Sequence, residues 1–215
     1  MSQCYKVVAF VDGGIDPAPE FPAGSGHGGI GGAAFHYGGA AEVEGIIRGD
    51  FAGPVVFEFL QHWRGPTTNQ RMELLAAIAA LEEIRGLIEI GVLGEDTFAY
   101  IVSDSAYVVN CFLSRWWVKW MRNEWKNSAK QEVANIDLWR RLISYVPETK
   151  TIWSRQSHVC REDSLVIETA GKQPFRGVQF LKIKGHSGAF GNDKADSLAT
   201  RAKKSDEFVR RIVRC

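Results

Sequence analysis

The chain opens on a short apolar run. Tyr5-Lys6-Val7-Val8-Ala9-Phe10-Val11 is β-branched and aromatic, and it predicts a buried strand. Ile30–Tyr37 reads as a second strand softened by Gly31 and Gly32, and Val55–Leu60 as a third. Between them Ala41–Arg48 reads as a further strand or an irregular edge, and residues 15–29, rich in Gly and Pro, as a long loop. The first 65 residues therefore predict a three-strand meander. The period then changes. Thr67–Leu81 has strong helix formers, a polar start and neither Gly nor Pro. Thr67 and Gln70 predict a capping box. From Met72 to Leu81 every residue is apolar except Glu73, so this helix belongs in a core.

The alternation continues beyond it. Ala99–Ser103 predicts a buried strand, and Ser105 starts a short helix over Ala106–Leu113. Residues 113–131 suit an amphipathic helix or a contact surface, and Ile136–Val146 is a further helix ending before Pro147. Thr151–Ser154 and Leu165–Ile167 suit a short hairpin. Gly177–Ile183 alternates as a strand, and Asn192 caps a final helix over Asp193–Lys204. A helix between the strands ending at Val11 and Ser103 allows a right-handed crossover and parallel pairing.

Composition narrows the picture. The chain has 215 residues, 45% of them hydrophobic, which suits a single domain with a substantial core. Its 26 basic residues nearly cancel 25 acidic ones, so only a local cluster can favour nucleic acid. The four cysteines form no CxxC pair and no histidines pair at ligand spacing, which argues against zinc. No window has the roughly 18 apolar residues of a membrane span. The amino terminus has no basic region ahead of a long apolar run. A cytoplasmic protein that does not contact a membrane is the expectation.

The acids carry the candidate chemistry. Glu73 shares a helical face with Ala77, Ala80 and Ile84, and a carboxylate there must be paired, neutralised or bound to metal. Asp12 ends the first strand and Asp104 the strand after the crossover. Parallel pairing sets them side by side, where two carboxylates about 4 Å apart repel by roughly 4 kcal/mol at an effective dielectric near 20. A divalent cation is the common reason for such a pair to persist. Asp196 sits beside the apolar stripe of the last helix, near its positive end. His186, on a Gly- and Ser-flanked loop, is placed to shuttle protons. Each of these has an ordinary alternative when taken alone: a turn Asp, a helix-start Glu, an idle loop His. Residues 113–131 set four tryptophans, Trp116, Trp117, Trp120 and Trp125, among five basic residues and one acidic one, which suits a nucleic-acid surface as well as a packed amphipathic helix.

The segments VAFVDGG, TTNQRMELLAAIAALE, IVSDSAYV, ANIDLWRRL and KGHSGAFGNDKADSLA together resemble the type 1 ribonuclease H family of bacteria. The motifs occur in the family's order and span residues 5–202. The resemblance implies an α/β ribonuclease H-like fold. Its sheet is five-stranded and mixed, an antiparallel three-strand meander plus two parallel strands flanked by helices. It implies one domain over 1–215, with 147–176 an insertion away from the catalytic edge and 203–215 a frayed basic tail. By the same resemblance Asp12, Glu73, Asp104 and Asp196 are metal ligands, and His186 serves proton transfer and product release. Asn69 and Gln70 match the pair that contacts the hybrid's minor groove, and Ser105 a position near the DNA backbone. Trp116 and Trp120 match aromatics lining the DNA channel, with Arg122 and Lys126 the cations beside them.

The implied activity is endonucleolytic hydrolysis of the RNA strand of an RNA–DNA hybrid by a monomer, leaving 3′-hydroxyl and 5′-phosphate ends. Two Mg2+ ions, replaceable by Mn2+, would serve it. The competing readings are a non-catalytic nucleic-acid-binding member of the fold, which would lack a carboxylate, and a junction resolvase or integrase, which would lack the Trp-rich segment and the GHSG loop. Two departures from the family pattern bear on substrate grip: Gly14 stands where a Ser is usual, and Ala106 where a Gln often contacts RNA.

Overall fold

A computed structural model of the chain describes residues 6–37, 54–146, 165–168, 177–186, 188–206 and 208–212. Its strands are β1 (Lys6–Pro17), β2 (Gly26–Tyr37), β3 (Val55–Thr67), β4 (Phe98–Ser103), β5 (Leu165–Glu168), β6 (Gly177–Lys182) and β7 (Phe208–Ile212). They form one sheet in the order β5-β6-β4-β1-β2-β3-β7. β1, β2 and β3 are the antiparallel meander, and β4 and β6 continue the sheet in parallel with β1. The helices are α1 (Asn69–Glu89), α2 (Ala106–Leu113), α3 (Trp116–Arg122), α4 (Ile136–Ile143) and α5 (Phe190–Lys204).

The alternation of β1 decides which helix covers which face. Val7, Ala9 and Val11 belong to the core shared with α1, α2 and α4. Val8 and Phe10 belong to the core on the opposite face, with Ala195 of α5. Phe10 and Phe35 meet there edge to face at 6.0 Å. α1 is nearly apolar all round because it is buried over most of its length, from Met72 to Ile88.

Several expectations are corrected. Among the described residues the sheet has seven strands, not five: β5 pairs antiparallel with β6, and β7 pairs antiparallel with β3. The basic tail therefore does not fray over 208–212. Phe208–Ile212 pairs residue by residue with Phe57–Gln61, and the Arg210 Nε donates to Glu83 at 2.7 Å. The loop over 15–29 is mostly hairpin, since β1 runs to Pro17 and β2 starts at Gly26. Gly24 takes φ 80° in the turn, and the other glycines on and beside this hairpin mark close approach. A Cβ on Gly13 would lie 2.3 Å from the Met72 carbonyl carbon, and one on Gly31 would lie 2.3 Å from the Ala199 nitrogen. Glycine lets α1 and α5 press on the strands beside Asp12.

Caps are corrected too. Thr68, not Thr67, caps α1, its hydroxyl accepting from the Arg71 amide at 3.4 Å. Thr67 ends β3 and is buried, so the capping box with Gln70 does not form. Asn192 lies inside α5, whose capping position is Ala189. Residues 113–131 hold only the short α3, followed by turns in which Glu124, Trp125 and Lys130 take positive φ. Thr151–Ser154 and Ala41–Arg48 lie outside the described residues.

Candidate active site

β1 and β4 run parallel in a register whose last pair is Phe10 with Val102. Asp12 and Asp104 each follow just beyond that pair, so they leave the ladder side by side. Glu73 comes from the first turns of α1, which press against Gly13. Carboxylate oxygens of Asp12, Glu73 and Asp104 all lie within 4.8 Å of one another. Three acids from three elements thus converge at the carboxyl end of the parallel strands, where open α/β sheets place their sites.

Burial and mutual repulsion disfavour their charges. Asp12 is pushed from 3.8 up to about 7, first by desolvation and then by Asp104 and Asp196. Glu73, 8% exposed, is pushed from 4.5 up to about 9 by desolvation, Asp12 and Asp104. The Gly13 backbone amide and the Lys203 ammonium oppose both rises. Asp104 is also raised, chiefly by desolvation, with His186 opposing. The buried Glu73 Oε2 has no hydrogen-bond partner. An unpartnered buried oxygen in a close group of oxygen donors fits a hard divalent cation.

Asp196 lies half-buried on α5, close enough to raise both Asp12 and Asp104 but outside the tight trio. His186 is exposed at φ 51° on the loop from β6 to α5. That loop crosses directly over Asp104, since a Cβ on Gly185 would lie 2.6 Å from its Oδ2.

The residues expected to bind substrate come from three helices, α1, α2 and α3, and the segments at their ends. Asn69 and Gln70 are exposed in the first turn of α1. Trp116 and Trp120, 6.2 Å apart, line a cleft of about 420 Å³ with Lys119, Asn123 and Lys126. Arg122 is exposed at the end of α3 but is not part of that lining. Ser105 is buried, and its hydroxyl accepts from the Val108 amide at 3.4 Å, so it caps α2 instead of facing solvent.

The Trp-rich segment is held by specific contacts. Trp120 meets Trp139 edge to face at 5.4 Å, and Arg140 covers the Trp125 ring at 5.2 Å. The Tyr107 hydroxyl accepts from Trp139 Nε1 at 2.9 Å and from Asn135 Nδ2 at 3.3 Å. Sequence reasoning missed Lys203, which it placed in a fraying tail. The available signal was helical spacing: Lys203 follows Asp196 by about two turns on the same face.

A mixed sheet with three carboxylates, Glu73 buried and Asp12 and Asp104 half-buried, at the carboxyl ends of its parallel strands suits a metal-dependent hydrolase on a ribonuclease H-like fold. The RNase H family matches residues 6–155. The ribonuclease H of Syntrophomonas wolfei is 38% identical over 139 residues, 65% of this chain and 71% of that protein. That of Moorella thermoacetica is 37% identical over 136 residues, 63% and 66% of the two chains. The chain belongs to the ribonuclease H family and is an endonuclease that hydrolyses the RNA strand of RNA–DNA hybrids.

Solved structures agree on the fold. LC9-RNase H1, a type 1 RNase H with the type 2 active-site motif, superposes with a TM-score of 0.59 at 21% identity, over 95% of this chain and 76% of that one. The PFV RNase H domain gives 0.58 at 20% identity, over 93% and 95%. The matched family segment contains Asp12, Glu73 and Asp104 but ends before His186 and Asp196. Those two reach the site through β6 and α5. No helix among the described residues is long and apolar enough to cross a membrane.

Proposed function

We propose that Asp12, Glu73, Asp104 and Asp196 hold two Mg2+ ions, with Mn2+ able to substitute, and that the chain cuts hybrid RNA to 3′-hydroxyl and 5′-phosphate ends. The convergence of three carboxylates within 4.8 Å carries this reading. When bound, such ions supply alignment of the attacking water, polarisation of the scissile phosphate and stabilisation of the leaving oxygen. The protein's own contribution is positional. Gly13 keeps α1 close enough for Glu73 to reach the pair on the sheet. The apolar surroundings of Glu73 exclude water and strengthen the electrostatics of the site.

His186, beside Asp104, moves a proton through its exposed ring and assists product release. Asn69 and Gln70 read the RNA side of the minor groove, where 2′-hydroxyls distinguish RNA from DNA. Trp116, Trp120 and Lys126 cradle the DNA strand, with Arg122 at the cleft's margin. A monomer is the acting unit of this proposal. A cytoplasmic setting, expected from the four cysteines without CxxC pairs, belongs to the same proposal.

The test is cleavage of labelled RNA–DNA hybrid, double-stranded RNA and four-way DNA junction, each with Mg2+, Mn2+ or chelator. The hybrid alone is expected to be cut, in its RNA strand, with either metal and not with chelator. Cutting of the junction, or of the hybrid in chelator, would overturn the proposal. Hybrid binding without cleavage would favour the non-catalytic reading.

A further inference from the structure

Lys203 projects from the last turn of α5 towards the carboxylate cluster. Side chains of β1 alternate, so position 14 faces the same side of the sheet as Asp12. Gly14 is buried and has no side chain to place there, and Lys203 takes the opening. Its Nζ stands 3.0 Å from where a Cβ on Gly14 would be, and Asn69 Oδ1 stands 3.5 Å from the same point. The ammonium thus lies beside Gly14 near the first turn of α1, and its positive field reaches both Asp12 and Glu73.

A strand that places its scissile phosphate on the carboxylates and runs on towards Asn69 must pass this point. An ammonium presents three donors and a compact charge, which suits a phosphate oxygen. We propose that Lys203 is a substrate-binding residue whose ammonium grips a backbone phosphate of the RNA strand beside the cut, in the space left by Gly14. The proposal rests on the reading that the RNA strand crosses the Asp12–Glu73–Asp104 cluster. It gives the chain a cation at the place where its sequence lacks the usual hydroxyl side chain.

The same ammonium repels an incoming divalent cation, so nucleic-acid and metal binding respond to its loss in different directions. Hybrid affinity is measured by fluorescence anisotropy in chelator across a salt series, for wild type, K203A and K203R. Mn2+ binding is measured by calorimetry without nucleic acid. K203A is expected to weaken hybrid binding about 10-fold. It should also reduce the slope of log affinity against log salt by about one. K203R should recover most of the loss. Mn2+ should bind K203A as tightly as wild type, or more tightly. In steady state KM should rise with kcat changed less than about twofold.

A wild-type salt slope and affinity in K203A, with wild type binding and cutting hybrid, would overturn the role of Lys203 alone. A loss of affinity with unchanged slope would make the residue structural and overturn it equally. Failure of wild type to bind or cut hybrid would overturn the underlying reading and this one with it.

Discussion

Arg71 grips Asp137 through two hydrogen bonds, Nη1 to Oδ1 at 3.0 Å and Nη2 to Oδ2 at 2.6 Å. The bidentate pair joins the start of α1, which carries Glu73, to the start of α4, against which the Trp-rich segment packs. Both side chains are partly solvated, at 29% and 57% exposure, so the pair contributes little stability, about 1 kcal/mol or less. The Arg71 hydrogen bond holds the Asp137 carboxyl below its usual value. Its contribution is therefore present above the unfolded pKa and lost as pH falls through the folded one. Asp137→Ala is expected to lower Tm slightly but raise KM for hybrid severalfold, because the cleft at Trp116 and Trp120, proposed to hold the DNA strand, shifts relative to the carboxylates. An unchanged KM in steady-state cleavage would refute this positional role.

Asp12→Asn and Asp104→Asn should each abolish cleavage, by at least about 10³-fold, while hybrid binding in chelator survives. Gel-based cleavage and anisotropy read the two separately. Turnover like that of wild type in either variant would remove the residue from the proposed metal site.

The raised acids also make the metal-free protein sensitive to pH. Asp12 at about 7 and Glu73 at about 9 bind protons more tightly folded than unfolded. The associated stability is fully present below about pH 4, the unfolded value, and is lost as pH rises towards 9. In chelator, Asp12→Asn should therefore be more stable than wild type at pH 8, by on the order of 1–3 kcal/mol. The difference should shrink at pH 5 and in excess Mg2+. Thermal melts across this grid check the sign, and a destabilised variant at pH 8 would contradict it.

Gly13→Ala should destabilise by about 1–3 kcal/mol or more, because the new methyl meets Met72 backbone, which cannot turn aside. Activity should fall further than stability, since Glu73 is displaced from Asp12. Urea unfolding and hybrid cleavage measure the two effects. Full activity in a folded variant would show that the close approach of α1 is not needed.

β7 protects the outer edge of β3 and brings Arg210 to Glu83, whose side chain is only 15% exposed. Burial raises the Glu83 carboxyl while Arg210 opposes the rise. Arg210→Ala leaves that carboxylate half-buried without its cation and should cost about 1–2 kcal/mol, more than Glu83→Gln. Urea midpoints of the two variants decide it, and equal or reversed losses would show that the strand, not the pair, matters.

The sequence by itself determined the meander, the crossover strand, the apolar helix and the acids at their ends. Each is encoded locally: periods of two and 3.6 mark the elements, and an acid just after an apolar run marks a strand end. It also exposed Glu73, because a charge on an all-apolar helix has no ordinary explanation. What it could not show depends on distant partners. The glycines near Asp12 suggested a loop until α1 and α5 were seen to press on them. Ser105 looked available until it proved buried as the cap of α2. The tail looked frayed until β3 offered it an edge, and Lys203 looked idle until α5 aimed it at Gly14. Only tertiary structure decided that three carboxylates from β1, α1 and the end of β4 stand within 4.8 Å. Parallel register and helix–sheet packing set that distance, and neither is written in any one stretch of chain.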